Sequence, residues 1–163
     1  MSATEALATE VLARARALGL SIATAESCTG GLVSGALTDI PGSSDVVDRG
    51  FVTYSNAAKR EMLGVRAATL DAVGAVSEEV AREMAEGALT HSQAQLAVSI
   101  TGIAGPGGSE FKPEGRVCFA IASKTGKTLS ETIEFGAIGR QNVRAASVQH
   151  ALSLLLTAAG RFA

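Results

Sequence analysis

The chain has 163 residues, of which 47% are hydrophobic and 18% charged, and its formal net charge is −2 at pH 7. This composition predicts one folded domain over residues 1–163 and excludes a disordered chain, while the weak net charge argues against nucleic acid or an acidic membrane surface as the main partner. The two cysteines are far apart in sequence, which excludes a disulfide framework. The sequence has neither a signal-type N-terminus nor an apolar run of bilayer length, so we expect a cytoplasmic protein.

Helices and strands alternate through the first part of the chain. The positions of apolar residues and of capping residues define each element. The predicted order is a helix from Thr4 to Gly19, a strand over residues 21–25, a helix over residues 29–39, a strand over residues 50–54 and a helix from Ser55 to Gly64.

The second part of the chain ends in a predicted hairpin and a long helix. A short helical turn at residues 69–73, a helix capped by Ser77, strands at 95–101, 116–123 and 128–135, and a final helix over 140–158 are predicted in that order. The turn at residues 124–127 is too short for a crossover, so the last two strands are antiparallel. We therefore predict an α/β fold, a three-layer α/β/α sandwich with a mixed, mostly parallel sheet.

A polar turn, residues 24–31 (TAESCTGG), separates the first strand from the following helix. The first N–H groups of a helix lack internal partners, so this turn can hold an anion, and Gly30 and Gly31 have no side chains to keep a ligand away. The alternative is structural, with Thr29 as the helix N-cap and the Ser27 hydroxyl bound to loop backbone. The turn also carries groups capable of chemistry: Glu26, Ser27, Cys28 and Thr29.

Two further polar loops, residues 54–59 and 101–109, follow predicted strands. Loops that follow neighbouring parallel strands meet at one edge of a sheet. We therefore expect four side chains from the three loops to lie close together at that edge: Ser27, Tyr54, Lys59 and Thr101.

The residue types in these loops favour a hydroxyl nucleophile that works without histidine. The two histidines, His91 and His150, lie away from the loops, and neither a clustered zinc-ligand set nor a P-loop or dinucleotide-binding pattern is present. Lysine can activate a hydroxyl when burial lowers its pKa, which makes Lys59 the candidate base, with Tyr54 as a relay or orienting group. The alternatives are a solvated helix lysine and a half-buried tyrosine at the end of a strand.

Three further roles stay open at this point. Cys28 is either a rival nucleophile, acidified by the helix N-terminus, or a small packing residue. The N–H groups of Cys28, Thr29 or Gly102 are candidates for an oxyanion hole. Arg140 and Arg144 lie one helical turn apart, so they either bind a phosphate or form a solvated helix face.

Five sequence blocks together resemble the CinA C-terminal domain family. They are TAESCTGG (24–31), GFVTYSNAAKREMLGV (50–65), GAVSEE (74–79), SITGIAGPGG (99–108) and RxxxR (140–144). The resemblance covers nearly the whole chain, and the blocks occur in the family's order.

The resemblance implies a metal- and cofactor-independent hydrolase that converts the carboxamide of nicotinamide mononucleotide to a carboxylate, releasing ammonia. It implies Ser27 as nucleophile and Lys59 as its partner, with Tyr54 and Thr101 in support. A non-catalytic nucleotide-binding or interaction module of the same fold is the alternative. We also expect a homo-oligomer, with a dimer favoured. The substrate-binding positions expected from the loops and motifs are Glu26, Cys28, Thr29, Gly30, Gly31, Gly102, Gly105, Arg140 and Arg144.

Overall fold

The computed structural model describes residues 1–109 and 111–162. Within those residues the helices are α1 (Ala3–Ala17), α2 (Leu32–Thr38), α3 (Asn56–Leu63), α4 (Ala67–Val73), α5 (Glu78–Thr90) and α6 (Arg140–Gly160), with a 3-10 turn at Ser43–Asp45. The strands are β1 (Ile22–Glu26), β2 (Val47–Val52), β3 (Leu96–Gly102), β4 (Arg116–Ser123) and β5 (Leu129–Glu134). None of the helices in this described part of the chain is both long enough and apolar enough to cross a membrane.

The strands form one five-stranded sheet in the order β2-β1-β3-β4-β5. Strand β1 pairs in parallel with both β2 and β3, whereas β4 pairs antiparallel with both β3 and β5. Four strands therefore point in one direction and β4 in the other. This arrangement confirms the predicted mixed, mostly parallel sheet.

The two faces of the sheet bury side chains of very different size. Side chains alternate between the faces along each strand. The face that packs against α1, α2 and α6 presents large residues: Ile22, Leu96, Val98, Ile100, Val117, Phe119 and Ile121. The opposite face, against α5 and α3, presents small ones: Ala23, Ala25, Ala97, Cys118, Ala120 and Ala122. Helices on both faces complete the predicted three-layer sandwich, and the small residues let α5 lie close to the sheet.

Close packing continues between α5 and the end of α3. A Cβ atom added at Gly87 of α5 would lie 2.0 Å from the main-chain oxygen of Leu63. No side chain fits in that space, so Gly87 is required by the distance between the two helices.

Several element boundaries differ from the prediction by a few residues, and two of them affect the loops at the edge of the sheet. The second strand begins at Val47 and ends at Val52, which leaves Thr53 and Tyr54 in the loop that follows it. The helix expected from Thr29 begins at Leu32, because Gly30 and Gly31 have φ angles of +57° and +107°. Gly31 is the N-cap, so the interpretation of Thr29 as the helix cap is wrong.

The segments that follow β1, β2 and β3 lie side by side at one edge of the sheet. The backbone N–H of Ser27 donates to the oxygen of Ile100 at 2.9 Å, and that of Thr53 donates to the oxygen of Glu26 at 2.8 Å. These bonds tie the turn after β1 to its two neighbours. The predicted meeting of three polar loops is confirmed.

Candidate active site

A buried lysine and a serine are in direct contact where these loops meet. The Lys59 Nζ atom donates to Ser27 Oγ at 3.0 Å, and Ser27 Oγ lies 3.4 Å from the main-chain oxygen of Tyr54. Lys59 Nζ also donates to the main-chain oxygens of Thr53 at 3.0 Å and of Tyr54 at 3.2 Å. Only 1% of Lys59 is exposed, so it is not the solvated helix lysine that the sequence left open.

Helix α3 carries Lys59 into this position. Ser55 caps the helix, with its Oγ accepting from the N–H of Ala58 at 3.0 Å, and Gly64 ends it in a left-handed conformation. Lys59 and Leu63 are its two buried residues, four positions apart and therefore on one face. Leu63 packs into the small-residue layer and fixes the direction in which Lys59 points.

Glu26, which precedes the serine, occupies the N-terminus of α2. Its carboxylate is fully buried and accepts from the Thr29 hydroxyl at 2.5 Å and from the N–H groups of Val33 and Ser34 at 3.0 Å each. A carboxylate here satisfies N–H groups that lack partners within the helix. The Glu26 carboxylate therefore occupies the anion site that was expected at this helix end. Four residues were expected to bind substrate there, and none of them lines the cavity beside Ser27: Glu26, Thr29, Gly30 and Gly31.

The two arginines of the last helix have different contacts. Arg144 donates from Nε to the oxygen of Cys28 at 3.1 Å and from Nη2 to that of Thr29 at 3.5 Å, so it holds the serine-containing turn. Arg140 donates from Nη1 to the oxygen of Gly105 at 2.7 Å and from Nη2 to the phenol oxygen of Tyr54 at 3.1 Å. Arg140 lines the cavity and Arg144 does not. Of the two arginines expected to bind a phosphate together, Arg140 alone therefore stays a candidate.

A cavity of about 340 Å³ opens beside Ser27 and Lys59. Eight of the residues predicted for the site line it: Ser27, Cys28, Tyr54, Lys59, Thr101, Gly102, Gly105 and Arg140. The other lining residues are Asn56, Ala75, Val76, Ile103, Ala104, Pro106, Gly107, Gly108 and Ser109. Asn56 lies three positions before Lys59 on α3, a spacing that could have indicated it, whereas Ala75 and Val76 carry no polar side chain that would have marked them.

Thr101 and Tyr54 contact the serine–lysine pair less directly than expected. Thr101 is 1% exposed, and its hydroxyl donates to the main-chain oxygen of Ala75 at 2.9 Å. Tyr54 reaches Lys59 and Ser27 through its main-chain oxygen, while its ring is 61% exposed and its hydroxyl is bound to Arg140. Because Lys59 already touches Ser27, no relay through the tyrosine hydroxyl is needed.

The thiol of Cys28 is held in its neutral form. Burial, which disfavours the charged thiolate, raises its pKa from 9.0 to about 12, and the charge of Glu26 contributes in the same direction. The helix N-terminus that was expected to acidify this thiol is occupied by Glu26. Cys28 packs with the core on the large-residue face, as the structural alternative predicted.

The two histidines do not line this cavity. His91 contacts the oxygen of Gly87 through Nδ1, and His150 pairs with Glu131. Within residues 1–109 and 111–162, no three His, Cys, Asp or Glu side chains are grouped closely enough to hold a metal ion. Metal-independent chemistry stays a prediction.

Comparison with known proteins gives a consistent result over the whole chain. Residues 4–159 match the family model described as CinA C-terminal domain. The nicotinamide-nucleotide amidohydrolase PncC of Enterobacter agglomerans is 51% identical over 157 residues, which cover 96% of this chain and 93% of that protein. A CinA-like protein of Chlorobium phaeobacteroides (strain BS1) is 63% identical over 105 residues, 64% of this chain; the match spans 25% of that longer protein.

A solved structure is also closely similar. The competence/damage inducible protein CihA from Agrobacterium tumefaciens superposes with a TM-score of 0.93 at 52% sequence identity. The superposition covers 96% of each chain, so the sheet and the helices on both its faces are shared.

Proposed function

This chain belongs to the CinA C-terminal domain family, and on that premise we propose that it hydrolyses the carboxamide of nicotinamide mononucleotide to give nicotinate mononucleotide and ammonia. The observation that carries the proposal is the 3.0 Å contact between Lys59 Nζ and Ser27 Oγ in the wall of the cavity. A hydroxyl paired with a lysine is a known way to attack an amide carbon.

The reaction proceeds in two steps. Lys59 in its neutral form accepts the proton of Ser27 Oγ as that oxygen attacks the carboxamide carbon. The tetrahedral intermediate then collapses, the C–N bond breaks, and Lys59 returns the proton to the departing ammonia. Ser27 is left as an ester of nicotinate mononucleotide. A water molecule, with Lys59 again as base, hydrolyses this ester and regenerates the serine hydroxyl.

The developing oxyanion requires nearby hydrogen-bond donors. The N–H of Ser27 is already used by Ile100, so it is excluded. Cys28, the residue after the proposed nucleophile, lines the cavity, and its N–H is our candidate. One such donor is worth roughly 3–4 kcal/mol in enzymes where it has been removed.

The phosphate of the substrate is assigned to Arg140. Lys59 and Arg140 are the charged side chains among the described residues that line the cavity, and Lys59 is occupied with Ser27. Arg140 is exposed and uses two of its five N–H groups, which leaves donors for a phosphate.

The test is ammonia release from nicotinamide mononucleotide, with a chelator present, by wild-type protein and by Ser27→Ala and Lys59→Ala. We expect wild-type turnover to survive the chelator and each variant to lose at least about 10³-fold in kcat, because removing a nucleophile or its base has effects of that size. Ser44→Ala and Lys124→Ala, both at exposed positions, are matched controls that keep wild-type activity.

Two outcomes would contradict the proposal in different ways. Full activity in Ser27→Ala would eliminate the covalent mechanism. Wild-type protein that binds the nucleotide in calorimetry but releases no ammonia would place the chain in the class of non-catalytic binding modules.

Two further properties are part of the proposal. We propose that the protein acts in the cytoplasm and forms a homodimer. The many alanines on its helices allow two chains to pack closely. Light scattering on the purified protein measures the mass, and a value equal to one chain would contradict the dimer.

A further inference from the structure

The ring of Tyr54 and its main chain have separate contacts. The main-chain oxygen faces Lys59 at 3.2 Å and Ser27 at 3.4 Å. Tyr54 lines the cavity, 61% of the residue is exposed, and its hydroxyl accepts from Arg140, another lining residue, at 3.1 Å. The exposed side chain is thus open to a ligand, and the bond to Arg140 limits the rotation of its ring.

The charges on the cavity wall leave the Tyr54 ring as the lining group that can attract a cation. Among the described lining residues, Arg140 carries a positive charge, no carboxylate side chain is present, and Tyr54 is the one aromatic residue. The oxidised pyridine ring of the proposed substrate is itself a cation, which Arg140 repels. The face of an aromatic ring attracts a cation through its quadrupole.

We propose that the face of the Tyr54 ring binds the cationic pyridine ring of the substrate and so selects the oxidised nucleotide. This inference rests on the proposed function, because it assumes a pyridine nucleotide in the cavity. It assigns Tyr54 to substrate recognition. Proton transfer remains with Lys59, which contacts Ser27 directly.

Steady-state kinetics on two variants separate these roles. Tyr54→Phe keeps the ring and removes the hydroxyl, so we expect its KM to stay at least about threefold below that of Tyr54→Leu. Tyr54→Leu removes the ring, so KM rises about 5- to 30-fold, the range from an exposed to a desolvated cation over an aromatic face, while kcat changes less than about threefold. Phe111→Leu is the matched control, because Phe111 is fully exposed and does not line the cavity.

A binding experiment tests the role of ring charge. Calorimetry on Ser27→Ala protein, with and without the additional Tyr54→Leu substitution, compares nicotinamide mononucleotide with its reduced form, whose ring is uncharged. We expect the protein that retains Tyr54 to prefer the oxidised nucleotide, and that preference to fall at least about fivefold when leucine replaces the tyrosine. Equal losses for both nucleotides would overturn the inference by showing simple packing.

The kinetic outcomes decide between the two proposals. A loss of more than about 100-fold in kcat for Tyr54→Phe, at unchanged KM, would show that the hydroxyl transfers a proton and would overturn the inference. Absence of turnover in wild-type protein would instead overturn the proposed function, and the calorimetric comparison would still measure the contribution of the ring.

Discussion

Glu26 shows how a residue next to the proposed nucleophile can shape the site without lining the cavity. Its buried carboxylate accepts from the Thr29 hydroxyl and from main-chain N–H groups at the start of α2. Each of these donors would be left unsatisfied without it. The geometry of the turn that carries Ser27 therefore depends on a side chain that points away from the cavity.

We predict that Glu26→Gln lowers the free energy of unfolding by about 1–3 kcal/mol and reduces kcat. The amide keeps one acceptor, but its NH₂ group meets main-chain N–H donors, and the negative charge at the helix N-terminus is lost. Urea denaturation measures the change in stability. Glu79→Gln, an exposed carboxylate in the first turn of α5, is the control, with a change below about 0.5 kcal/mol. Equal effects in the two variants would contradict this role for Glu26.

At the scale of residues, the sequence was sufficient for some parts of the site and not for others. The proximity of Ser27 and Lys59 could be predicted because both follow neighbouring parallel strands, whereas their catalytic roles stay a prediction. Arg140 and Arg144 could not be told apart, because their partners are main-chain oxygens 35 and 116 positions away. The role of Glu26 was missed for a similar reason: a carboxylate near a helix start has the same appearance in a sequence whether it faces a ligand or the helix.

At the scale of elements, helix α5 and the end of α3 are packed at the limit of main-chain contact. Gly87 faces the main-chain oxygen of Leu63, and Leu63 shares the buried face of α3 with Lys59. The fit between these helices thus also fixes the helix that supplies the candidate base.

We predict that Gly87→Ala lowers the free energy of unfolding by about 1–3 kcal/mol, because the added Cβ forces the helices apart. This cost exceeds the gain of about 1 kcal/mol that alanine brings to a helix interior. Gly35→Ala in α2 is the control: nothing lies within 4 Å of its added Cβ, so thermal unfolding is expected at the same or a higher temperature. If Gly87→Ala is as stable as wild type, the helices are less tightly packed than described.

The boundaries of elements were predicted less well than their existence. Helix α2 begins three residues later than expected, because Gly30 and Gly31 adopt left-handed conformations that no local pattern reveals. Strand β2 ends two residues earlier than expected and frees Tyr54 to reach the cavity. In both cases tertiary contacts, and not the preferences of the residues, decide where the helix begins or the strand ends.

At the scale of the whole molecule, the fold class follows from the alternation of helices and strands, but the order of the strands does not. The hairpin of β4 and β5 is local and was predicted. The position of β1 between β2 and β3 depends on pairings between segments as much as 74 residues apart, such as Ile22 with Leu96. The division of the sheet into a large-residue and a small-residue face could be checked only once that order was known.

The alkaline stability of the molecule depends on the Cys28 thiol. Its pKa in the folded protein is about 12, against an ordinary value of 9.0. Below pH 9 the thiol is neutral in both states and has no effect on the pH dependence. As pH rises from 9 towards 12, the thiol ionises only in the unfolded chain, so the unfolded state is favoured increasingly.

We therefore predict that between pH 9 and pH 11 wild-type protein loses about 2 kcal/mol more folding free energy than Cys28→Ala does. Chemical denaturation at a series of pH values measures both curves. Between pH 7 and 8.5 they run parallel, apart from a constant difference caused by the lost packing. Parallel curves up to pH 11 would show that the thiol is not protected in the folded state.

The contacts of Glu26 and Arg144 with the turn after β1 lie entirely within the chain. The conformational entropy of that turn is consequently lost when the protein folds, before any ligand arrives. Under the proposed function, substrate binding then carries no ordering cost at Ser27, which favours both affinity and an attack geometry that is ready in the free protein. The turn is in this sense a rigid template that is formed before the proposed substrate binds.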